Sequence, residues 1–491
     1  TYTGSGIGDF LLGDVYQAST SQQELDTIQQ YIYNAYVQDD WKASNKLTLN
    51  FGVRYELPMP FTEAHGNQSN FVLDSGACYL QLVTVAQAGP CGVGDSLVRP
   101  DTNNFAPRVG LAYQLTGKTV VRSGFGVFYG RDEDLGIQRR LPNNPPFVTS
   151  ATFIGTPSVP AFPLQVGFPS NALSLASGST TVNSYPFDFA TPYVEQWNVN
   201  VERQLPGNFL AQIGYTGSEA HKLAVVVNVN QAFPGPGSVN SRRPYQGFGD
   251  IQFYGPLLNS TYNALIAKLE RRFSKGLSLL ASYTYGHFID GGRSQNDSSD
   301  PGPQNVRNQA AQKGSSNFDV RHRFVLSGFY QLPFGKSDGF VSHLIRNWQL
   351  SGIFSAQTGQ PFTATLSTDP TNTGAAGYPD RIADGNLPSD QRSVNHWFDT
   401  TAFIRPPCAC FGDSGRNIIR APGFMDLDLG IIRDFNFGER FRLQFRAESF
   451  NLMNHPNFGL PNMVVGNHQV ATITTTINPE RQNQLALKFY F

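Results

Sequence analysis

A hydrophobic period of two, sustained for about ten residues and then folded back across a tight turn, constrains this chain more than any other feature. The hairpin of 31–41 and 47–56 has the strongest such period, and residues 262–290 show it near the middle of the chain. Leu265, Ala267, Leu269 and Phe273 form one phase, with Lys268, Glu270 and Arg272 between them. After the turn Ser274-Lys275-Gly276, Leu277, Leu279, Ala281, Tyr283 and Tyr285 alternate with Ser278, Ser282 and Thr284. Strands of soluble domains centre on about five or six residues, whereas a strand tilted across a bilayer needs about nine to eleven. A row of apolar and aromatic side chains on one face, with charges and hydroxyls on the other, suits a wall between lipid and a wet lumen.

The unit recurs along the chain. The spacing predicts about thirteen membrane-length strands, over residues 31–41, 47–56, 108–115, 119–129, 193–204, 209–217, 262–273, 277–287, 322–332, 348–357, 424–435, 441–451 and 483–491. Long polar insertions fall at 57–104, 131–192, 218–259, 291–317, 367–422 and 453–482. Hairpins with short turns at one end and long loops at the other are the pattern of an all-β transmembrane antiparallel barrel, with periplasmic turns and extracellular loops. A soluble sandwich has no reason to alternate so strictly.

Composition agrees with this reading. Charged residues are 15% of the chain and aromatics 13%, where soluble domains carry roughly 25% charged residues. Mean hydropathy is nevertheless −0.29, and no run approaches the 18 or so apolar residues of a membrane helix. A net charge of −1 leaves no basic surplus for nucleic acid. Gly4-Ser-Gly6 and Gly124-Phe-Gly126 lack the lysine and helix of a phosphate loop, and Ser414 lacks a nucleophile elbow. Asp319 and Arg321-His322-Arg323 read as an interfacial charge cluster. No catalytic set emerges, and no cofactor or metal site is expected.

The four cysteines form two close pairs in Gly/Pro-rich loops, Cys78 with Cys91 and Cys408 with Cys410. An even count in loops favours local disulfides in an oxidising compartment. A bridge between Cys408 and Cys410 would be strained, so partners elsewhere stay open for these two. Asp290, Asn296, Asp297 and Asp300 make an oxygen-rich loop, but their spacing is not that of an EF-hand, and the loop reads as flexible and polar. Arg54, Glu56, Lys268, Glu270, Arg272, Arg442, Arg446 and Glu448 fall on the polar phase of their strands. They read either as lumen groups that contact a plug or steer a solute, or as a hydrated ladder of mixed charge.

Several stretches carry a family resemblance. They are Ala35-Tyr-Val-Gln-Asp-Asp-Trp41, Leu47-Thr-Leu-Asn-Phe-Gly-Val-Arg-Tyr-Glu56 and Thr191-Pro-Tyr-Val-Glu-Gln-Trp-Asn-Val199, followed by Asn317-Phe-Asp-Val-Arg-His-Arg-Phe324, Phe411-Gly-Asp-Ser-Gly-Arg-Asn417 and Phe445-Arg-Ala-Glu-Ser-Phe-Asn-Leu-Met-Asn-His-Pro-Asn-Phe458. Together they resemble the carboxy-terminal barrel portion of TonB-dependent outer-membrane receptors of the Oar-like type, which carry a carboxypeptidase-regulatory-like domain and a plug ahead of the barrel. No plug, TonB box or regulatory-like domain is found in this sequence. The resemblance implies transport of a bulky solute across the outer membrane, with the TonB complex engaged through an amino-terminal region. It also implies that Leu485, Leu487, Phe489 and Phe491 form the terminal strand read by the barrel-assembly machinery. The alternative function is a structural or adhesive surface barrel that binds a partner or glycan through its loops. Thirteen strands are expected to be part of a 22-stranded barrel, because an odd count cannot close with both termini in the periplasm. The first and last strands should then each present an edge without its neighbour.

Overall fold

In the computed structural model, described for all residues except 1, 4–5, 131–137, 156–158, 174–179, 293–299, 335–345, 376 and 439, the alternation becomes one antiparallel meander. Its strands are β1 (Ile32–Ser44), β2 (Leu47–Pro58), β3 (Phe105–Thr116), β4 (Thr119–Tyr129), β5 (Tyr193–Leu205), β6 (Phe209–Asn228) and β7 (Phe248–Ser274), then β8 (Leu277–Asp290), β9 (His322–Gln331), β10 (Trp348–Gln357), β11 (Phe424–Phe437), β12 (Phe441–Phe450) and β13 (Gln482–Tyr490). Each strand pairs with the next in sequence from β1 to β13, and two short segments, Thr180–Ser184 against β7 and Gly314–Ser315 against β8, bring the sheet to 15 strands. Among the described residues no helix is long and apolar enough to cross a membrane.

The register sorts the side chains, because residues directly opposite in an antiparallel ladder share a face. One row reads Asn50, Gly110, Gly124, Asn198, Thr216, Ala264 and Gly286 across β2 to β8. A row on the other face reads Val201, Ile213, Ala267, Tyr283, Phe324, Ala356 and Met425 across β5 to β11. Ile213 is 61% exposed and Val201 43%, which only a lipid-facing surface makes favourable. The apolar phase has charged exceptions at both ends of the strands: Glu195 and Glu219 lie opposite each other near the long-loop end, and Arg271 and Arg433 lie near the short-turn end. There Arg271 lies over the Phe209 ring and Arg433 over the rings of Trp348 and Phe435, so the aromatic rings cover the guanidinium groups at membrane-interface depth.

Two expectations are corrected. The segment 218–259, expected as a polar loop, is largely strand: β6 and β7 run 20 and 27 residues, and their ladder slips after Ala220, then resumes from Leu223–Leu258 to Asn228–Gln252. Val225, Val227 and Leu258 are buried there in a small core of their own. A strand covered on both sides loses its period of two, which is why its pattern did not announce it. The second correction is Phe273. The ladder is irregular between Arg271 and Ser274, and this bulge moves Phe273 from the apolar phase to lie 6.0 Å from Phe329, which is opposite Ser278 on the polar face.

Among the described residues no ladder joins β1 to β13, so the sheet is open with two edges. On β1 the successive residues Tyr36 and Val37 are 75% and 66% exposed, which leaves both faces of this edge bare. The long connections carry cores of their own. In one, Leu97, Leu141, Tyr185, Phe187 and Tyr254 join loops 57–104 and 131–192 to the extension of β7. In the other, Phe362, Phe398, Phe403, Ile419 and Ala471 join loops 358–423 and 451–481.

The face assignment has a direct test. A cysteine placed at Ser278 of the full-length protein in its membrane should react with a hydrophilic maleimide that enters through the pore, and one placed at Leu279 should not. Equal labelling at the two positions would contradict the assignment.

Candidate functional site

The polar face is built from short-range pairs. Arg54 Nε lies 2.8 Å from Glu56, Lys268 Nζ 3.1 Å from Glu270, and Arg446 Nη2 3.1 Å from Glu448, each pair two residues apart on one strand and therefore on one face. Arg272 reaches Glu270 at 3.9 Å and remains 86% exposed. Arg442 instead lies 4.1 Å over the Tyr490 ring of β13. Arg122 and Glu202, not singled out from sequence, add a cross-strand pair at 3.4 Å. Such half-exposed pairs contribute about 0–1 kcal/mol each. Their effect on the surface is larger than their effect on stability, since each cancels its own charge.

Between the pairs lies a band of amides. Gln212 Nε2 donates to Asn200 Oδ1 at 3.1 Å, Asn200 Nδ2 donates to Asn198 Oδ1 at 2.9 Å, and Asn50 Nδ2 donates to Asp40. Glycines opposite make room for them: a Cβ at Gly214 would lie 1.9 Å from Asn200 Oδ1, and one at Gly110 3.2 Å from Asn50 Oδ1. Asn198 and Asn200 were not singled out from sequence, because an Asn-over-Gly contact is visible only once register is known.

On β8 to β12 the same face holds a recess of about 430 Å³, lined by Ser278, Ser327, Ser351, Asp428, Gly430 and Glu448. Gly430 leaves room for Ser351, because a Cβ there would lie 2.7 Å from its Oγ. Asp428 accepts the Asn451 backbone N–H at 2.9 Å.

Above the wall, buried charges tie the loops together. Arg416 donates through Nε to Asp300 at 2.6 Å and through Nη1 to Asp290, with its side chain 1% exposed. Burial works against its charge, but the Asp300 and Asp290 carboxylates outweigh it and raise the guanidinium pKa. Asp290 and Asp300 thus serve an arginine, while Asn296 and Asp297 lie outside the described residues. Asp319 receives Arg420 Nη2 at 2.7 Å and Arg321 Nε at 3.0 Å. Burial pushes its carboxyl up, and the Phe288 N–H with the two arginines brings it below the ordinary value of 3.8. Glu63, with a fully buried side chain, accepts N–H groups from Thr27, His65 and Asn67 at 2.7–2.8 Å. These outweigh the burial penalty and hold its carboxyl below 4.5. Tyr378 is pushed upward by burial and by Asp300.

Cys78 is joined to Cys91, and Cys408 to Cys410. Leu485, Leu487 and Phe489 share the apolar face of β13 opposite Ala447, Phe445 and Leu443, and Phe489 stacks 5.8 Å from Phe441 and 6.1 Å from Phe491. Among the described residues no group of three or more His, Cys, Asp or Glu side chains is arranged to hold a metal ion.

A two-faced meander of membrane-length strands, with polar pairs on one face and folded caps at one end, defines an outer-membrane β-barrel wall. The outer membrane beta-barrel domain family matches residues 1–484, and the chain belongs to that family. It is a constituent of the outer membrane. No curated protein matches the chain. Among solved structures it is similar to the ferripyoverdine receptor of the outer membrane of Pseudomonas aeruginosa bound to ferripyoverdine, at 9% identity and TM-score 0.44, over 95% of this chain and 39% of that one. It is also similar to the siderophore receptor PirA from Acinetobacter baumannii, at 10% identity and TM-score 0.46, over 94% of this chain and 46% of that one. The ferric-catecholate import receptor Fiu from K12 E. coli, in its closed form, is similar at 11% identity and TM-score 0.43, over 94% of this chain and 45% of that one. The chain thus spans less than half the length of each.

Two outcomes test this geometry. Gly214→Ala should destabilise the barrel by about 1–3 kcal/mol, because the methyl group must displace Asn200, whereas Gly117→Ala, which meets nothing within 4 Å, should be near neutral in the same thermal unfolding in detergent. Secondly, Glu63 and Asp319 have folded pKa values below their unfolded ones, so their stabilisation is complete above about pH 4.5 and is lost as pH falls through the folded values. Hydrogen exchange should show protection of segments 61–73 and 314–320 declining below about pH 4.5, and a flat profile would contradict the assignment.

Proposed function

We propose that this chain is the barrel portion of a TonB-dependent outer-membrane transporter of the Oar-like type that moves a bulky solute. The single observation that carries the reading is the continuous polar face, locally neutral and bordered by folded caps at the long-loop end. In this reading the face lines a lumen. Arg54, Glu56, Lys268, Glu270, Arg272, Arg442, Arg446 and Glu448 contact either a plug or the passing solute, and the β8–β12 recess is a stopping point on the route. The open edges of β1 and β13 support a larger ring, in which further strands pair with both and an amino-terminal region supplies the plug and the TonB contact. The terminal row Leu485, Leu487, Phe489 and Phe491 serves recognition by the assembly machinery.

The two packed cap cores favour a second reading. A surface barrel that binds a partner or glycan needs rigid loops and no route. The two readings separate in whole cells. With the intact gene, transport predicts that particular bulky solutes disappear from the medium, and that this depletion is lost both on gene deletion and on adding a protonophore. Medium profiles identical in all three conditions would overturn transport.

A further inference from the structure

The second cap carries a small protruding tip at residues 405–411, clamped on both sides. On its near side Phe403 and Ile404 pair with Arg381 and Asp380, and Phe403 is buried. On its far side the Gly412 carbonyl accepts Gln304 Nε2 at 2.7 Å, Ser414 donates its N–H to Pro379 O at 3.0 Å, and Arg381 donates its N–H to Asp413 Oδ1 at 2.8 Å. Gly412 is so closely seated that a Cβ would lie 2.1 Å from the Tyr378 carbonyl. Between the clamps Arg405 is exposed and Pro406 is buried. Pro407, Cys408 and Ala409 are exposed and Cys410 is half-buried.

The disulfide at this tip encloses one residue, whereas Cys78 and Cys91 are 13 apart. In the chain-entropy account a bridge contributes a constant plus a term that grows with the logarithm of the loop it closes, so the tip bridge restrains less than the Cys78–Cys91 bridge and the clamps share the holding. The other bridge has Cys78 at 7% exposure inside the first cap core. Exchange requires a thiolate to approach one sulfur of the bridge, and exposed, weakly stabilising disulfides are the labile ones. Access and low structural cost thus coincide at Cys408.

We propose that Cys408–Cys410 is a thiol–disulfide exchange site that accepts two electrons from low-molecular-weight thiols at the outer surface. A thiolate attacks Cys408 Sγ, forming a mixed disulfide while Cys410 leaves as a thiolate and takes up a proton. A second thiolate then attacks the sulfur of the bound thiol, releasing the oxidised small disulfide and the Cys408 thiolate. Two thiols are oxidised to one small disulfide, and the bridge is reduced to a dithiol.

The test uses the full-length protein in intact cells. Cells are titrated with reduced glutathione, quenched with acid, alkylated and examined by peptide mass spectrometry. Cys408 and Cys410 should open at a thiol concentration at least about tenfold below that needed for Cys78 and Cys91. Cys410→Ser, treated with oxidised instead of reduced glutathione, should exchange its free Cys408 thiol for a mixed disulfide and release one reduced glutathione. The double variant Cys408→Ser/Cys410→Ser should keep the protease resistance of the second cap. Equal resistance of the two bridges to glutathione would overturn the proposal. So would a double variant whose cap becomes protease-sensitive, since that outcome makes the bridge a structural staple.

Discussion

Every backbone N–H and C=O that enters a bilayer must find its partner within the protein, because an unpaired group there costs several kcal/mol. Nearest-neighbour pairing of consecutive antiparallel strands meets that demand with the shortest connections, and the thirteen-strand meander is the result. Once each strand is held by two ladders, its side chains divide between two faces with no further choice. The division of apolar and polar residues in the sequence is thus the imprint of backbone satisfaction. The edges of β1 and β13 show the other side of this constraint, as among the described residues no strand pairs with the outer side of either.

The parts of the fold legible in the sequence were those with one wet and one oily face. β2 and β12 alternate without a fault, and each of the thirteen expected strands has a counterpart in the sheet. Legibility failed where that environment ends. The outer halves of β6 and β7 are covered on both sides, so Ala224, Val225, Val226 and Val227 form an unbroken apolar run where alternation was sought. Phe273 was assigned by counting in twos across a bulge, and counting in twos is what a bulge defeats.

The site was legible to the same depth. Polar-phase charges could be named because they obey the strand period, but their pairing could not, since the period does not say which acceptor Arg54 takes, and in the fold it is Glu56. The asparagine and glycine contacts needed cross-strand register, which one strand's sequence does not contain. Arg416 joins residues more than a hundred positions away. No local pattern marks such a residue, although its place in the stretch Phe411–Asn417 that carries the family resemblance was a hint of its weight.

The distribution of charge follows one economy throughout. On the wall, cations and anions stand two residues apart and cancel at a distance of about 3 Å, well inside the Debye length, so this face presents hydrogen-bonding groups rather than a field. In the caps the same ions are buried, where breaking a pair costs about 3–5 kcal/mol because it strands a charge. Arg416 with Asp290 and Asp300 therefore holds the loop after β8 to the loop after β10 far more firmly than any wall pair holds its strand. The strands need no such help, because their ladders already fix them. Among the described residues no ladder joins the loop after β8 to the loop after β10, and a buried arginine held by two carboxylates takes its place.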